Sequence, residues 1–261
     1  MTRRLLLFLV DGMRPDGLQR AQTPVIDDLM ATGAWTLSAR TVMPSITLPC
    51  IVSLFQSRTP QQHGVTSNTF IPDAIEPGLI EVLAAAGRTT ATFHNWEELR
   101  DLSRPGALRA SLYLNNCHDP DGAGDVALTV AAIEALQRDP VDFAFIYLGY
   151  TDVAGHDHGW MSAPYLAAIE NADHCIGISL SALGSDYDVI ITADHGGHDH
   201  AHGTETDKDM RVPLVIHGHP RFAHGRMLSG PVTIIDIAPT ILHWMGVRPP
   251  DHWDGRPIEG D

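Results

Sequence analysis

Asp188-Val189-Ile190-Ile191-Thr192-Ala193-Asp194-His195-Gly196-Gly197-His198-Asp199-His200-Ala201-His202-Gly203 is an apolar run that breaks into a dense set of metal-competent side chains. Val189 to Thr192 has the length and β-branched content of a buried strand. Carboxylate and imidazole groups at the C-terminal end of such a strand are how an α/β protein builds a divalent-metal site. Taken alone, the stretch also fits a His-rich surface loop. Complementary side chains at three other strand ends favour the metal site.

Working outward, short apolar runs alternate with amphipathic stretches. Strand candidates are Leu5 to Val10, Thr89 to Phe93, Phe143 to Leu148, Val189 to Thr192 and Val212 to His217. Helical patterns cover Pro24 to Thr32, Leu48 to Phe55, Gly78 to Ala86, Gly124 to Gln137, Ala163 to Ala182 and Ile234 to Met245. Thr23-Pro24, Ser162-Ala163-Pro164 and Thr233 supply helix-start signals. Strands separated by helices of this length pair in parallel through right-handed crossovers. The expected fold is therefore α/β, a doubly wound, mostly parallel sheet flanked by helices. A single domain is expected over 1–261, with a possible small cap excursion at about 95–121, where periodicity weakens. Asp11, Asp152 and Asp194 each follow a strand and should converge on one sheet edge.

Composition narrows the function classes. The chain has 261 residues, 44% hydrophobic and 19% charged, as expected of a globular protein able to bury a full core. Its 32 acids against 17 bases give a net charge of -15, which argues against a nucleic-acid polymer as partner. Bound cations can still reverse the sign locally and admit a phosphate ester. The apolar run Leu5 to Val10 meets Asp11 at once, unlike a signal peptide, and nothing reaches the length of a membrane span. Three scattered cysteines, Cys50, Cys117 and Cys175, suit reduced thiols, so a cytoplasmic location is expected.

Three further constellations carry chemistry. In Val10-Asp11-Gly12, glycine lets the backbone turn while the carboxylate faces the cleft, although Asp-Gly is also a common turn. Met43-Pro44-Ser45-Ile46-Thr47-Leu48-Pro49 puts hydroxyls at a helix start. There they can cap the helix, or serve as a nucleophile where backbone N–H groups favour a phosphoryl anion. Thr47 lies nearer the helix start than Ser45. In Thr151-Asp152-Val153-Ala154-Gly155-His156-Asp157-His158, Asp152 and His156 can turn toward one ion, or the segment can be a polar turn.

Together these motifs resemble the alkaline phosphatase superfamily of two-metal phosphohydrolases, nearest to its nucleotide pyrophosphatase/phosphodiesterase-like branch. The matching motifs run from Asp11 to His202, most of the chain. The resemblance implies that Asp11, Thr47, Asp194 and His195 hold one ion, with Thr47 as nucleophile. It implies that Asp152, His156 and His202 hold the other, His202 being favoured over His200 by its His-Gly-Thr context. His158 and His198 are then supporting or surface residues. Asn68, in His63-Gly64-Val65-Thr66-Ser67-Asn68, matches an asparagine that contacts a non-bridging phosphate oxygen. Cys50 departs from the asparagine that phosphodiesterase relatives often carry there.

This oxygen- and nitrogen-rich ligand set suits Zn²⁺ best, with Mn²⁺ or Fe as alternatives. The reaction implied is hydrolysis of a small-molecule phosphate ester through a phosphothreonine intermediate, most simply a diester or nucleotide pyrophosphate. A phosphomonoesterase, a phosphonate hydrolase or a phosphomutase would use the same chemistry, although a mutase usually carries a large inserted cap. The stretch Met43 to Cys50 lacks the Cys-x-Pro-x-Arg pattern of sulfatases. A non-catalytic, metal-dependent phospho-ligand sensor is the reading from outside the enzymes. Trp96, Trp160 and Phe70 are candidates for stacking on a base or aryl group, against the simpler role of packing.

Overall fold

The computed structural model describes residues 4–69, 76–104 and 106–259. Eight strands form one sheet: β1 (Arg4–Val10), β2 (Ala34–Arg40), β3 (Thr90–His94), β4 (Ala110–Tyr113), β5 (Phe143–Leu148), β6 (Tyr187–Thr192), β7 (Arg211–His217) and β8 (Arg226–Met227), in the order β4-β3-β5-β1-β6-β7-β2-β8. The helices are α1 (Pro15–Leu18), α2 (Pro24–Thr32), α3 (Thr47–Gln56), α4 (Pro60–His63), α5 (Leu79–Ala85), α6 (Ala123–Arg138), α7 (Tyr150–His158), α8 (Ala163–Leu183), α9 (Asp207–Met210) and α10 (Ile237–Trp244). Strands β4, β3, β5, β1 and β6 run parallel. Every residue of β5 and β6, and all of β1 after Arg4, is buried. That is why these runs are apolar without alternation: helices cover both faces of a parallel sheet. One helix group packs α8 against α2, α6 and α7; another packs α3 against α5 and α10.

The doubly wound, mostly parallel sheet expected from the sequence is present, with one reversal. β7 runs antiparallel to both β6 and β2. A parallel return needs a crossover helix, whereas the connection from β6 to β7 holds only the four-residue α9. The chain spends that connection on the His-rich loop and turns back. The segment 95–121 contributes β4, which extends the sheet edge beside β3. Periodicity also misses β2, whose Ala, Thr and Ser positions give weak alternation, and reads Ile234 to Met245 as one helix. The latter divides into a 3₁₀ turn, Ile234–Asp236, and α10. The stretch Asp152 to His158, read as a possible turn, lies within α7.

Candidate metal centre and active site

The carboxyl ends of β1, β5 and β6 lie side by side, since β1 is flanked by the other two in register. Asp11 follows β1 directly, Asp194 follows β6 after Ala193, and α7 starts one residue beyond β5 with Asp152 in its first turn. Gly12 has φ +66, and a Cβ there would sit 3.1 Å from Asp152 Oδ1 and 3.3 Å from Asp152 Cα. Only glycine lets the two acidic segments approach this closely. Its N–H donates to Asp194 Oδ1 at 3.2 Å, tying the β1 and β6 ends together.

Asp11, Asp194 and His195 form one cluster, with ligand atoms within 4.8 Å of one another. His195 Nε2 lies 3.4 Å from Asp11 Oδ1, 3.3 Å from Asp194 Oδ2 and 3.1 Å from Thr47 Oγ1. Thr47 is the first residue of α3 and is buried. Asp152, His156 and His202 form a second such cluster. There His156 Nε2 is 3.4 Å from Asp152 Oδ2, and His202 Nε2 is 3.7 Å from Asp152 Oδ1. The clusters adjoin: the rings of His195 and His202 stack with centroids 3.9 Å apart. Helical geometry explains the second pair, because positions four apart share a helix face.

The hydrogen bonds set the protonation pattern. His195 Nδ1 meets the Gly196 carbonyl at 2.7 Å, His156 Nδ1 the His200 carbonyl at 2.9 Å, and His202 Nδ1 the Ser45 carbonyl at 2.9 Å. A carbonyl accepts only from N–H, so Nδ1 carries a proton in each ring, and Nε2 is the atom that faces the carboxylates and is placed to ligate. Asp11 Oδ1, Asp152 Oδ1 and Asp194 Oδ2 are buried without a hydrogen-bond partner. Lone pairs facing lone pairs in a buried site are costly, and a divalent cation at each cluster would satisfy them. The donor set therefore fits two cations.

Burial pushes the Asp11 carboxyl well above the usual carboxylate range, and Asp194 and Asp152 push it further. Burial likewise raises Asp152, against the opposing pull of His195 and His156. Burial, then His195, pushes the His202 imidazole down to about 3, which keeps it neutral and ligand-competent.

A cavity of about 100 Å³ opens on these residues; Asp11, Thr47, Asn68, Asp152, His156 and His202 all line it. Asn68 Oδ1 accepts from the Leu48 N–H at 3.0 Å, placing the side-chain amide at the first turn of α3. Trp96, Cys117, His118 and Tyr147 line the same cavity. Tyr147 donates its hydroxyl hydrogen bond to Asp11 Oδ2. Within Phe143 to Leu148 it reads as one more core residue, so no sequence signal reveals it. His118 and Cys117 belong to the weakly patterned 95–121 segment and offered none either.

His200 turns back to the main chain, Nδ1 bonding His156 O at 2.8 Å, while His202 occupies the cluster. His198 Nδ1 bonds the buried Asp209 carboxylate at 2.7 Å, and His158 is exposed. Trp160 is buried behind His156 and His202 instead of standing free for stacking. Phe70 lies outside the described residues. A larger, open cleft of about 590 Å³, beside Trp35, Lys208 and Met227, contains neither cluster.

Sheet order, helix layers and paired clusters at the strand ends define an alkaline phosphatase-like α/β protein. A sequence model of "Type I phosphodiesterase / nucleotide pyrophosphatase" matches residues 5–218. The chain belongs to that family. Ectonucleotide pyrophosphatase/phosphodiesterase family member 1 of Rattus norvegicus is 27% identical over 220 residues, 73% of this chain and 24% of that protein. The 2,3-bisphosphoglycerate-independent phosphoglycerate mutase of Clostridioides difficile is 31% identical over 140 residues, 50% of this chain and 26% of that protein. The chain thus spans about a quarter of the length of these curated relatives. Among solved structures, an inactive variant of murine ectonucleotide pyrophosphatase/phosphodiesterase 5 in complex with AMP superposes with TM-score 0.78. It covers 96% of each chain at 16% identity. A phosphonate monoester hydrolase from Silicibacter pomeroyi superposes with TM-score 0.73 at 17% identity, over 98% of this chain and 76% of its own. At such identities the structures share the fold.

Proposed function

We propose that this protein is a two-metal phosphohydrolase that cleaves small-molecule phosphodiesters or nucleotide pyrophosphates through a phosphothreonine intermediate. The observation that carries the proposal is the pair of clusters beside Thr47, each with buried carboxylate oxygens that lack partners. Asp11, Thr47, Asp194 and His195 would hold one cation, and Asp152, His156 and His202 the other. Zn²⁺ matches this nitrogen and oxygen set best, with Mn²⁺ or Fe as alternatives. When bound, the cations lower the pKa of a coordinated hydroxyl and neutralise charge on the leaving oxygen.

The chain's own residues supply the rest. Thr47 Oγ1 would lose its proton to solvent and form a bond to phosphorus as the bond to the leaving alcohol or phosphate breaks, an alcohol leaving group taking up a proton from solvent in turn. Water then attacks the phosphothreonine ester, restoring the Thr47 hydroxyl and releasing the phosphate product. Leu48 N–H holds Asn68 Oδ1 at the start of α3, which leaves the Asn68 amide N–H group as the donor suited to a phosphoryl oxygen. The Nδ1 hydrogen bonds of His156, His195 and His202 hold the three rings in the ligand tautomer.

A diester carries one negative charge, and the described lining of the cavity contains neither Lys nor Arg. A neutral Asn68 beside the phosphoryl group suits that charge better than a monoester dianion. The type I phosphodiesterase / nucleotide pyrophosphatase family and the AMP complex of a structural relative support the substrate class. A panel of nitrophenyl diesters, monoesters and phosphonate esters separates the readings. Diester turnover at least tenfold above monoester turnover is expected, on the order of 1.4 kcal/mol in the barrier. The reverse ranking would make it a phosphomonoesterase, and faster phosphonate cleavage a phosphonate hydrolase. Tightly bound metal with no turnover on any ester would make it a sensor. Thr47→Ala should abolish turnover while metal content stays largely intact; full activity in that variant would remove Thr47 as nucleophile.

A further inference from the structure

Trp160 lies just beyond α7 and is 6% exposed. Its indole touches all three segments that carry the clusters. Nε1 donates to the Gly12 carbonyl at 3.0 Å, immediately after Asp11. The ring stands edge-on to His156 with centroids 5.0 Å apart, and to His202 at 5.9 Å. The main chain of both segments is pressed against it. A Cβ at Gly155 would lie 2.7 Å from the ring, and one at Gly197 only 2.2 Å. Glycine at these two positions lets one indole fill the space between α7 and the His-rich loop.

We propose that Trp160 is a positioning residue that sets the cation affinity of the Asp152–His156–His202 cluster. The inference rests on the two-metal reading above. The two clusters differ in how they are braced. Asp11 and Asp194 extend from paired core strands and are cross-tied through Gly12 N–H. His156 and His202 come from a helix and a loop that pack on Trp160, each ring held otherwise by a single Nδ1 bond to a loop carbonyl, of His200 and of Ser45. Rotation of either ring away from Asp152 would open the second cluster and leave the first in place. The indole blocks that rotation by packing, while its N–H bond to Gly12 keeps it in register with Asp11.

The test is cation stoichiometry and affinity, measured by equilibrium dialysis of the full chain against Co²⁺ or Zn²⁺. Trp160→Phe keeps most of the ring volume and loses the N–H; Trp160→Ala loses both. Tyr165→Phe is the control, because Tyr165 OH donates to the same Gly12 carbonyl at 2.9 Å. The expected result for Trp160→Phe is one site of unchanged affinity and a second about 10- to 100-fold weaker. Diester turnover lost at micromolar metal should return at millimolar metal, a recovery that a merely unfolded variant would not show. In Tyr165→Phe, second-site affinity should match wild type. Two sites of wild-type affinity in both Trp160 variants would overturn the inference alone. A wild-type chain that takes up fewer than two cations would overturn it together with the two-metal reading.

Discussion

At the scale of single residues, the site depends on partners that sequence patterns conceal. Tyr147 satisfies one oxygen of Asp11 and leaves the other facing His195. Burial, followed by Asp11 and Asp194, pushes the Tyr147 phenol well above its ordinary value, so it stays a donor. Tyr147→Phe should weaken the Asp11 cluster for divalent metal by about 10- to 100-fold. Competition against a chelating indicator measures this, and an unchanged affinity would remove Tyr147 from the site. His63 illustrates a different effect. Its Nδ1 accepts from Val65 N–H at 3.1 Å, so Nε2 carries the proton toward Ser53 Oγ at 2.8 Å. Burial, then Arg58, pushes this imidazole from 6.5 down to about 4. The unfolded chain therefore binds the proton first, and stability present above pH 6.5 is lost as pH falls toward 4. His63→Gln keeps a donor and an acceptor but does not titrate. Denaturant titrations of the metal-free protein should show a shallower pH slope across that window; an identical slope would contradict the assignment.

At the scale of elements, α7 carries two ligand candidates and is itself anchored at its start. Asp125, buried on α6, accepts from Gly149 N–H at 3.1 Å, Tyr150 N–H at 3.3 Å and Asn95 Nδ2 at 2.7 Å. These bonds fix where the helix begins, and so where Asp152 and His156 point. Asp125→Ala leaves those donors buried without an acceptor, at a cost of about 1–3 kcal/mol. Thermal unfolding and second-site metal affinity should both fall; loss of neither would show that α7 is placed by packing alone. The α7 segment also shows why sequence reading stops short. Gly149 and Gly155, with polar residues between, carry turn composition, and the hydropathic period is flattened because both faces are in use. One face carries the candidate ligands Asp152 and His156, and the helix also packs on α8. The strand β7 was legible as Val212 to His217, but its antiparallel direction was not: residues that would have built a crossover helix were used for the site.

At the scale of the whole molecule, the buried carboxylates of Asp11 and Asp194 and the half-buried one of Asp152 converge on one edge of a sheet whose chain carries a net charge of -15. On the two-metal reading, cations bound there would stabilise the folded state. At free metal about 1,000-fold above Kd, one site contributes about 4 kcal/mol. Chelation should therefore lower Tm by roughly 10 °C for a domain of this size. Differential scanning calorimetry with and without EDTA measures the shift, and no shift would argue against structural coupling of the metal to the fold. Among the described residues, no helix is long and apolar enough to cross a membrane. The sequence by itself determined the buried parallel centre of the sheet and the residue types of the candidate ligands. Uninterrupted apolar runs mean burial on both faces, and Asp or His at their ends follows from the chemistry of divalent cations. Only the tertiary structure decided that His200 turns back to the main chain while His202 turns inward, that Asp152 and His156 share a helix face, that Tyr147 bonds Asp11, and that Trp160 packs behind His156 and His202. Those choices depend on distances between segments far apart in the chain, which local hydropathy and spacing do not encode.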